Sequence, residues 1–222
     1  MIHQLGLNLP PEERLEDRHF IIGDANRDAH AWIMAWPEWP VYGLYLYGPE
    51  GSGKSHLARI WAARAKARII APEEAEREAA AFTRGQALAV EKVDDTMRET
   101  DGKGLFHLCN SAREHQGFLL LVGRAAPAEL HITLPDLRSR LLALPAISMS
   151  APDDALLSAV LAKHFEDRGL RVPQEVIAYL MPRMERSFAA AAKTAARIDA
   201  YALSMKREIT VPLAREAMDE MP

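Results

Sequence analysis

Cysteine and long apolar runs are both scarce in this chain of 222 residues. Its single cysteine, Cys109, excludes an intramolecular disulfide framework and fits a reducing compartment. No segment approaches the about 18 consecutive apolar residues that span a membrane. The first residues also lack the basic and then apolar pattern of a secretory signal. We therefore expect a cytoplasmic protein with no membrane partner.

An excess of positive charge is also absent. The 27 lysines and arginines are outnumbered by 31 aspartates and glutamates, which gives a formal net charge of -4. Nonspecific affinity for DNA comes mainly from basic side chains that neutralise phosphates. We therefore expect direct DNA binding to be weak. The eight histidines show no spacing typical of zinc ligands, so no structural metal is predicted.

Strand patterns alternate with helix patterns through the first two thirds of the chain. This alternation predicts a parallel sheet with helices on both faces. The predicted strands are 41–47, 67–71, 87–91, 118–123 and 146–150. The predicted helices between them begin near Lys54 and cover 72–82, 104–117 and 134–144, with one more after 91.

After residue 150 the pattern changes to helices alone. They are predicted at 152–168, 173–183, 185–205 and 212–219. This change places a domain boundary near residue 151. We therefore divide the chain into an extended tail (1–11), an α/β domain (12–150) and a helical domain (151–222).

The segment "GPEGSGKS" (48–55) fits the phosphate-loop pattern G-x-x-x-x-G-K-[ST] between a predicted strand and a predicted helix. Its glycines allow backbone N–H groups to surround phosphate oxygens at a helix N-terminus. Lys54 is expected to reach the β and γ phosphates, and the Ser55 hydroxyl to bind Mg²⁺. The predicted phosphate-side residues are Gly48, Gly51, Ser52, Gly53, Lys54, Ser55 and His56.

The segment "ALAVEKVDD" (87–95) follows as a second part of such a site. A buried strand that ends in Glu91 suits a carboxylate that holds Mg²⁺ through a water molecule. The next residue is Lys92, whose cationic side chain cannot act as a general base for hydrolysis.

Together with "FIIGDANRDAHAWI" (20–33) and the helical C-terminal part, these motifs resemble the AAA+ ATPases, and within them the DnaA-related proteins. The resemblance implies a phosphate-loop α/β fold with a parallel five-stranded sheet flanked by helices and a small helical lid. It also implies ATP or ADP with Mg²⁺ as the ligand. Ile22 and Gly23 would then contact the adenine base.

The resemblance also implies protein partners. The replication initiator DnaA carries a C-terminal DNA-binding domain, and we expect this chain to have no counterpart of it. The segment "QLGLNLP" (4–10) resembles a peptide that binds the sliding clamp, the DNA polymerase III β subunit. Glutamine supplies amide hydrogen bonds while spaced leucines fill an apolar cleft. A strand or a loose tail is the alternative. The predicted clamp-binding residues are Gln4, Leu5, Leu7 and Leu9.

Two arginines match AAA+ functional positions. In "LPDLRSRL" (134–141), Arg140 matches the arginine finger, which stabilises phosphoryl charge in a neighbouring subunit's site. Arg138 is its alternative. In "MPRMERSFAAA" (181–191), Arg186 matches the sensor 2 arginine of the lid, with Arg183 as the alternative.

Two departures from the family pattern concern hydrolysis. Lys92 replaces an acid, and Gly123 replaces a polar residue that helps to position water. Asp94 or Asp95 could take the place of the missing acid if the predicted strand 87–91 extended further. The sequence thus predicts weak or absent ATPase activity of its own. The resemblance implies a regulator that, with DNA-loaded clamp, stimulates ATP hydrolysis by the initiator and represses re-initiation.

Two other classes of function stay open at this point. One is a DNA-acting AAA+ ATPase, such as a helicase loader or a diverged initiator, and the other is a small-molecule kinase. The sequence does not distinguish ATP from ADP as the active state, or a monomer from a homodimer.

Overall fold

The protein, described by a computed structural model over residues 20–95 and 102–219, contains a five-stranded sheet in which all neighbouring strands are parallel. The order of the strands is β2-β3-β4-β1-β5. This arrangement confirms the predicted α/β fold with its parallel five-stranded sheet. The strands are β1 (Gly43–Tyr47), β2 (Arg68–Ile70), β3 (Ala87–Val90), β4 (Phe118–Gly123) and β5 (Ala146–Ser148).

Helices connect these strands and continue after the last of them. Those of the α/β part are α1 (Arg27–Met34), α2 (Lys54–Ala65), α3 (Ala75–Ala80), α4 (Lys103–Glu114) and α5 (Pro135–Leu142). The helices of the C-terminal part are α6 (Asp154–Glu166), α7 (Gln174–Leu180), α8 (Phe188–Met205) and α9 (Val211–Asp219).

The central strands are buried on both faces, and their side chains alternate between two apolar cores. On β1, Tyr45 joins the core formed with α3, α4 and α5, whereas Leu44 and Leu46 join the core formed with α1 and α2. β4 alternates in the same way. This double burial explains why both strands read as nearly continuous apolar runs.

The C-terminal helices enclose an apolar core of their own, which includes Leu161, Ile177 and Ile198. Side-chain caps fix two helix starts: Asp153 accepts a hydrogen bond from the N–H of Leu156, and Ser187 accepts one from the N–H of Ala190. Across the described ranges, the chain has no helix that is long and apolar enough to cross a membrane.

Two of the predicted helices each include a 3₁₀ turn in place of part of the α-helix. Residues 72–82 form a 3₁₀ turn (Pro72–Glu74) before α3, and residues 173–183 form α7 followed by a 3₁₀ turn (Met181–Arg183). Pro182 lacks the N–H group that would continue the hydrogen bonds of α7. α8 begins at Phe188 rather than near residue 185, since its cap is Ser187.

The carboxyl end of the sheet brings four segments of the chain together. In the sheet register, Tyr47 is opposite Gly123 on one side and Ser148 on the other. The residues that follow these three strand ends are therefore neighbours, and Glu91, which follows β3, lies beside the end of β4. Ligands of open α/β sheets bind at this edge.

An ion pair between Arg68 and Glu78 connects the edge strand β2 to α3. Both Glu78 carboxylate oxygens accept hydrogen bonds from the Arg68 guanidinium, at 2.9 and 3.1 Å. Glu78 is buried, whereas the Arg68 side chain is more than half exposed. The hydrogen bonds from Arg68, aided by those from Arg77, lower the pKa of Glu78 below its usual 4.5.

We predict that Glu78→Gln destabilises the protein near neutral pH by on the order of 1 kcal/mol, since it removes a charge-assisted pair that is open to solvent on one side. A lowered folded-state pKa contributes stability that is present above the unfolded-state pKa and disappears as the pH falls through the folded value. Urea unfolding between pH 3 and pH 7 would measure the difference between the two proteins.

The difference should therefore be largest near pH 7 and vanish in acid. Glu216→Gln is a matched control because its pair with Arg207 is a similar but exposed contact on the C-terminal helices. Equal and pH-independent effects of both substitutions would contradict the role assigned to the Glu78 carboxylate.

Candidate nucleotide site

The phosphate loop lies between β1 and α2 and depends on glycine at specific positions. Gly51 and Gly53 have φ angles of +74° and +92°, which disfavour residues with a side chain. A Cβ atom at Gly48 would collide with the Met149 carbonyl oxygen at the end of β5. The loop therefore packs too closely against its neighbours to accept larger residues.

The side chain of Lys54 is buried inside this loop. Its Nζ donates hydrogen bonds to the carbonyl oxygens of Gly48 (2.8 Å) and Pro49 (2.6 Å) and, at 3.4 Å, to the hydroxyl of Ser52. Burial lowers the pKa of Lys54, and the neighbouring charge of Arg124 acts in the same direction, whereas Asp94 opposes it. The ammonium group thus lies where it can bind phosphate.

The start of α8 packs directly against the loop. The N–H of Phe188 donates to the Gly51 carbonyl oxygen at 3.1 Å. A Cβ atom at Gly51 would collide with the Ser187 side chain, and one at Gly53 would lie 3.2 Å from the Phe188 ring. The C-terminal helices therefore form one wall of the candidate site.

The predicted base-binding segment lies beside α1 and the first C-terminal helix. Ile22 is 48% exposed, and Gly23 is so close to Leu156 on α6 that a Cβ atom would lie 2.9 Å from its Cδ2. The buried Asn26 fixes the segment: its Oδ1 accepts from the N–H of Gly23 and its Nδ2 donates to the Ile21 carbonyl. Asn26 is not among the residues predicted for the site.

Ser55 and His56 occupy the first turn of α2. Ser55 is exposed, whereas His56 is partly buried. The rings of Phe20 and His56 meet edge to face, with their centroids 5.4 Å apart. Through Phe20, the segment that leads to Ile22 is packed against the helix that follows the phosphate loop.

Glu91 follows β3, as predicted, and is partly buried. Its Oε1 atom is buried and has no hydrogen-bond partner among the residues that the structure describes. An orphaned carboxylate oxygen at this edge fits a hydrated Mg²⁺, since carboxylate, hydroxyl and water oxygens are the ligands that Mg²⁺ prefers. Ser55 and Glu91 would hold the ion there together with the phosphates.

The residues after Glu91 do not continue the strand. Lys92 is exposed and has a left-handed φ angle of +56°. Asp94 is buried and accepts hydrogen bonds from the N–H groups of Arg124 (2.5 Å) and Ala125 (3.0 Å). The strand ends at Val90, so the condition under which Asp94 or Asp95 could replace the missing acid is not met.

The end of β4 has no room for a side chain at Gly123. A Cβ atom there would collide with the Tyr45 hydroxyl oxygen and lie 2.9 Å from Oδ2 of Asp94. The first side chain beyond the strand belongs to Arg124, which lies 4.0 Å from the Glu50 carboxylate of the phosphate loop. Sequence reasoning missed Arg124, although its position one residue beyond a predicted strand end was a usable signal.

The sensor 2 candidates have different partners. Arg186 pairs with Asp154 of α6 at 2.5 Å, and both side chains are exposed. It immediately precedes Ser187, which touches the phosphate loop. Arg183 instead donates to the Tyr179 carbonyl oxygen at 2.8 Å and stacks on that residue's ring. Of the two candidates, Arg186 is the one next to a residue that contacts the phosphate loop.

Arg140 lies at the other end of the sheet from the phosphate loop. Its Nε donates to Oδ1 of Asn110 on α4 at 3.2 Å. Its charge also acts to lower the pKa of Tyr42, which precedes β1, although burial, the largest cause, raises that pKa. The five residues of β1 lie between Tyr42 and Gly48, a separation of about 20 Å. Arg140 therefore cannot take part in this chain's own nucleotide site.

Cys109 lies beside Tyr42 in the apolar core. Burial raises the pKa of its thiol to about 12, so a reactive thiolate does not form at neutral pH. The predicted clamp-binding residues, Gln4, Leu5, Leu7 and Leu9, lie outside the described residues.

Comparisons with known proteins give independent information on the fold and its relatives. Residues 154–218 match the family model described as the Hda lid domain. Over 91% of its length the chain is 26% identical to the chromosomal replication initiator protein DnaA of Symbiobacterium thermophilum, of which it spans 49%. The chain therefore spans about half the length of this curated relative.

Solved structures of DnaA have the same fold. Domain III of the Thermotoga maritima replication initiation protein DnaA gives a TM-score of 0.81 at 16% identity, over 94% of this chain and 97% of that one. AMPPCP-bound DnaA from Aquifex aeolicus gives 0.70 at 18% identity, over 81% of this chain and 63% of that one.

The parallel sheet, the phosphate loop at its carboxyl end and the helical C-terminal part have the fold of AAA+ proteins. Within that fold the chain is similar in sequence to DnaA over most of its length, and its C-terminal helices match the Hda lid domain model.

We predict that Gly123→Ala lowers the free energy of unfolding by about 1–3 kcal/mol, the usual range for an overpacked core. The added methyl group would collide with the Tyr45 hydroxyl, which has no hydrogen-bond partner within the described part of the chain. Chemical denaturation of the single and double variants would measure this effect.

Tyr45→Phe should be close to neutral by itself and should recover at least half of the stability lost in Gly123→Ala. Strictly additive effects of the two substitutions would show that the Tyr45 hydroxyl is not what excludes a side chain at residue 123.

Proposed function

We propose that this protein is an adenine-nucleotide-binding regulator of a DnaA-type replication initiator, and that it holds its own nucleotide rather than consuming it. The observation that carries the proposal is a complete phosphate loop combined with altered hydrolytic positions. Lys54, Ser55 and Glu91 supply the groups that phosphate and Mg²⁺ need, whereas Lys92 and Gly123 supply no general base and no group to orient water.

The binding half of the site is well supported. The Lys54 ammonium is buried and donates hydrogen bonds to oxygens of its own loop, a state in which phosphate oxygens would be strong competitors. Bound Mg²⁺ would neutralise charge on the β and γ phosphates. Adenine is proposed as the base because the related DnaA of Aquifex aeolicus is described as bound to AMPPCP.

Among the described residues, neither hydrolytic position supplies a base. Asp94, the nearest buried carboxylate, already accepts two backbone hydrogen bonds, so it is a structural acceptor rather than a free general base. Lys92 would place a cation beside any attacking water. Slow turnover follows, because general-base catalysis and water positioning usually contribute about 10²–10⁴ in rate.

We propose that Arg140 acts in trans, on the nucleotide of the initiator. An arginine finger that acts in trans must project towards another subunit's phosphates. The distance of Arg140 from its own loop and its place at the amino end of the sheet fit that requirement. Asn110 accepts a hydrogen bond from Nε of Arg140, and within the described ranges neither terminal nitrogen has a hydrogen bond, so both could bind phosphate oxygens.

The tail is proposed to connect the protein to the sliding clamp through Gln4, Leu5, Leu7 and Leu9. Clamp loaded on DNA would then bring Arg140 to the initiator, and the resulting hydrolysis would repress re-initiation. A cytoplasmic location is part of this proposal.

We predict that the purified protein binds ADP and ATP in the presence of Mg²⁺ and that Lys54→Ala abolishes this binding, because it removes the cation that reaches the phosphates. Own turnover should stay far below about 1 per second, a value at the low end for competent enzymes. Isothermal titration calorimetry and phosphate release would measure the two properties.

Lys66→Ala is a suitable control, since Lys66 lies at the opposite end of α2 and should leave binding unchanged. Turnover at or above that rate, lost in Lys54→Ala, would overturn the claim that the nucleotide is held rather than consumed.

We predict that Arg140→Ala abolishes stimulation of initiator ATP hydrolysis while nucleotide and clamp binding survive. An arginine finger contributes about 10³–10⁵ in rate in well-studied phosphate-loop enzymes. The assay follows the conversion of initiator-bound ATP to ADP in the presence of DNA-loaded clamp.

Arg138→Ala is the matched control, because Arg138 is exposed, lies two positions away on the same helix and is the alternative candidate for the arginine finger. A variant with Gln4 and Leu7 both replaced by alanine should lose stimulation through loss of clamp binding. If Arg140→Ala stimulates as well as wild type, the trans assignment is wrong; stimulation in neither protein, with tight DNA binding, would favour the DNA-acting alternative.

A further inference from the structure

We infer that the free edge of β5, beside α1, is a docking site for residues 4–9 of this chain, which add to the sheet there as an extra strand. Docking would hide the leucines that the sliding clamp is proposed to bind. The part of the inference that concerns the clamp rests on the proposed function, whereas the docking itself does not.

The outer edge of β5 carries backbone groups that point away from the sheet. The N–H of Tyr45 donates to the Pro145 carbonyl oxygen at 2.9 Å, so residue 145 faces β1. Alternate residues of a strand face the same neighbour, and the N–H and C=O groups of Ala146 and Ser148 therefore face away from β1. Within the described ranges no further strand lies on that side, because β5 is the last strand of the sheet.

The two edges of the sheet differ in their protection against another strand. β2, at the opposite edge, carries the charged Arg68, and charged side chains commonly protect exposed edges. β5 has the uncharged sequence Ala-Ile-Ser, and its residues Ala146 and Ser148 are exposed. An edge of this kind can accept an extended peptide through backbone hydrogen bonds.

A groove of about 370 Å³ lies along this edge, between β5 and α1. Ile147 and Trp32 form its apolar part, since both pack against the core formed with α1 and α2. A strand added to β5 would direct every second side chain to the Ile147 face of the sheet, beside Trp32. The groove is lined by Asp28, Ala31, Trp32, Ala146, Ile147 and Ser148.

The tail has the pattern that this edge requires. Residues 4–9 read Gln-Leu-Gly-Leu-Asn-Leu, with a leucine at every second position. In an added strand the leucines would share one face, which matches Ile147 and the groove. The glycine and asparagine would share the other face, which matches the exposed side chains of Ala146 and Ser148.

The chain between the tail and the described residues is long enough to reach the groove. Ten residues (10–19) separate Leu9 from Phe20, and they can span up to about 35 Å. The Phe20 ring stacks on His30 of α1 with a centroid distance of 5.5 Å, and the next residue, Ala31, lines the groove. A tether this short gives an effective concentration on the order of millimolar, so a weak contact suffices.

Crosslinking in the full chain tests the docking. Asn8→Cys is combined with Ser148→Cys or, for a strand shifted by two residues, with Ala146→Cys, and a short bismaleimide is added. The native Cys109 is buried and the pKa of its thiol is raised to about 12, so it does not react in the folded protein. We expect an intrachain product from one of the pairs, because docking raises the local concentration of the two thiols by about tenfold or more.

The control pair combines Asn8→Cys with Ala63→Cys. Ala63 is exposed on α2, about two turns after His56, whose ring meets Phe20, so the tether also reaches it. Equal yields from the groove pairs and the control pair would overturn the inference. A crosslinked product of twice the mass would overturn it as well, since the tail would then lie on a second copy.

A larger side chain in the groove should abolish the crosslink and release the tail. Ala31→Lys fills an exposed position of the groove, and Ala35→Lys, exposed but outside its lining, is the matched control. Because a docked tail is not available to the clamp, Ala31→Lys should raise clamp affinity by about threefold or more. Loss of the crosslink in both variants or in neither would overturn the inference. If Ala31→Lys does not fold, as judged by circular dichroism, Asp28→Lys takes its place.

Failure of the proposed function gives a different result. A wild-type chain that forms the intrachain product but binds no clamp, even as Ala31→Lys, would remove the clamp function and leave the docking site. A wild-type chain that binds clamp but forms no groove crosslink would keep the proposed function and remove this inference. A crosslink that Ala31→Lys abolishes without a change in clamp affinity would overturn the claim that docking hides the leucines.

Discussion

The buried ammonium group of Lys54 is the constraint on which the rest of the site depends. A desolvated cation must be surrounded by oxygens, and here the loop itself provides them through Gly48, Pro49 and Ser52. The loop backbone folds around the ammonium group, and the left-handed φ angles that this conformation needs favour glycine at positions 51 and 53. Phosphate would replace the loop carbonyls as the partner of Lys54, so the same geometry would serve a bound nucleotide.

The C-terminal helices are coupled to that loop through few but direct contacts. Phe188 donates to Gly51, and Leu156 packs against Gly23, so the predicted phosphate and base segments each touch a C-terminal helix. A ligand that fills the space between these segments would therefore bias the position of the lid. The Arg186–Asp154 pair is an exposed contact that a phosphate could outcompete.

The sequence predicted the fold, the strands and the phosphate loop because each has a local signal: apolar runs, periodic helices and a glycine-rich motif in its proper context. It did not predict why Gly123 is a glycine, since the Tyr45 hydroxyl that closes this position is distant along the chain. Arg124 was missed for a related reason: its neighbours Glu50 and Asp94 come from other strand ends. Helix ends near Pro182 and Ser187 were misplaced because caps and 3₁₀ turns decide them.

A crystal structure of the protein with ADP and Mg²⁺ is the most direct test of the account. We expect the β phosphate to lie within 48–55, the Lys54 ammonium to bind it instead of the Gly48 and Pro49 carbonyl oxygens, and the base to contact Ile22 and Gly23. A nucleotide bound elsewhere, or a Lys54 that keeps its loop contacts while ADP is bound, would contradict the account.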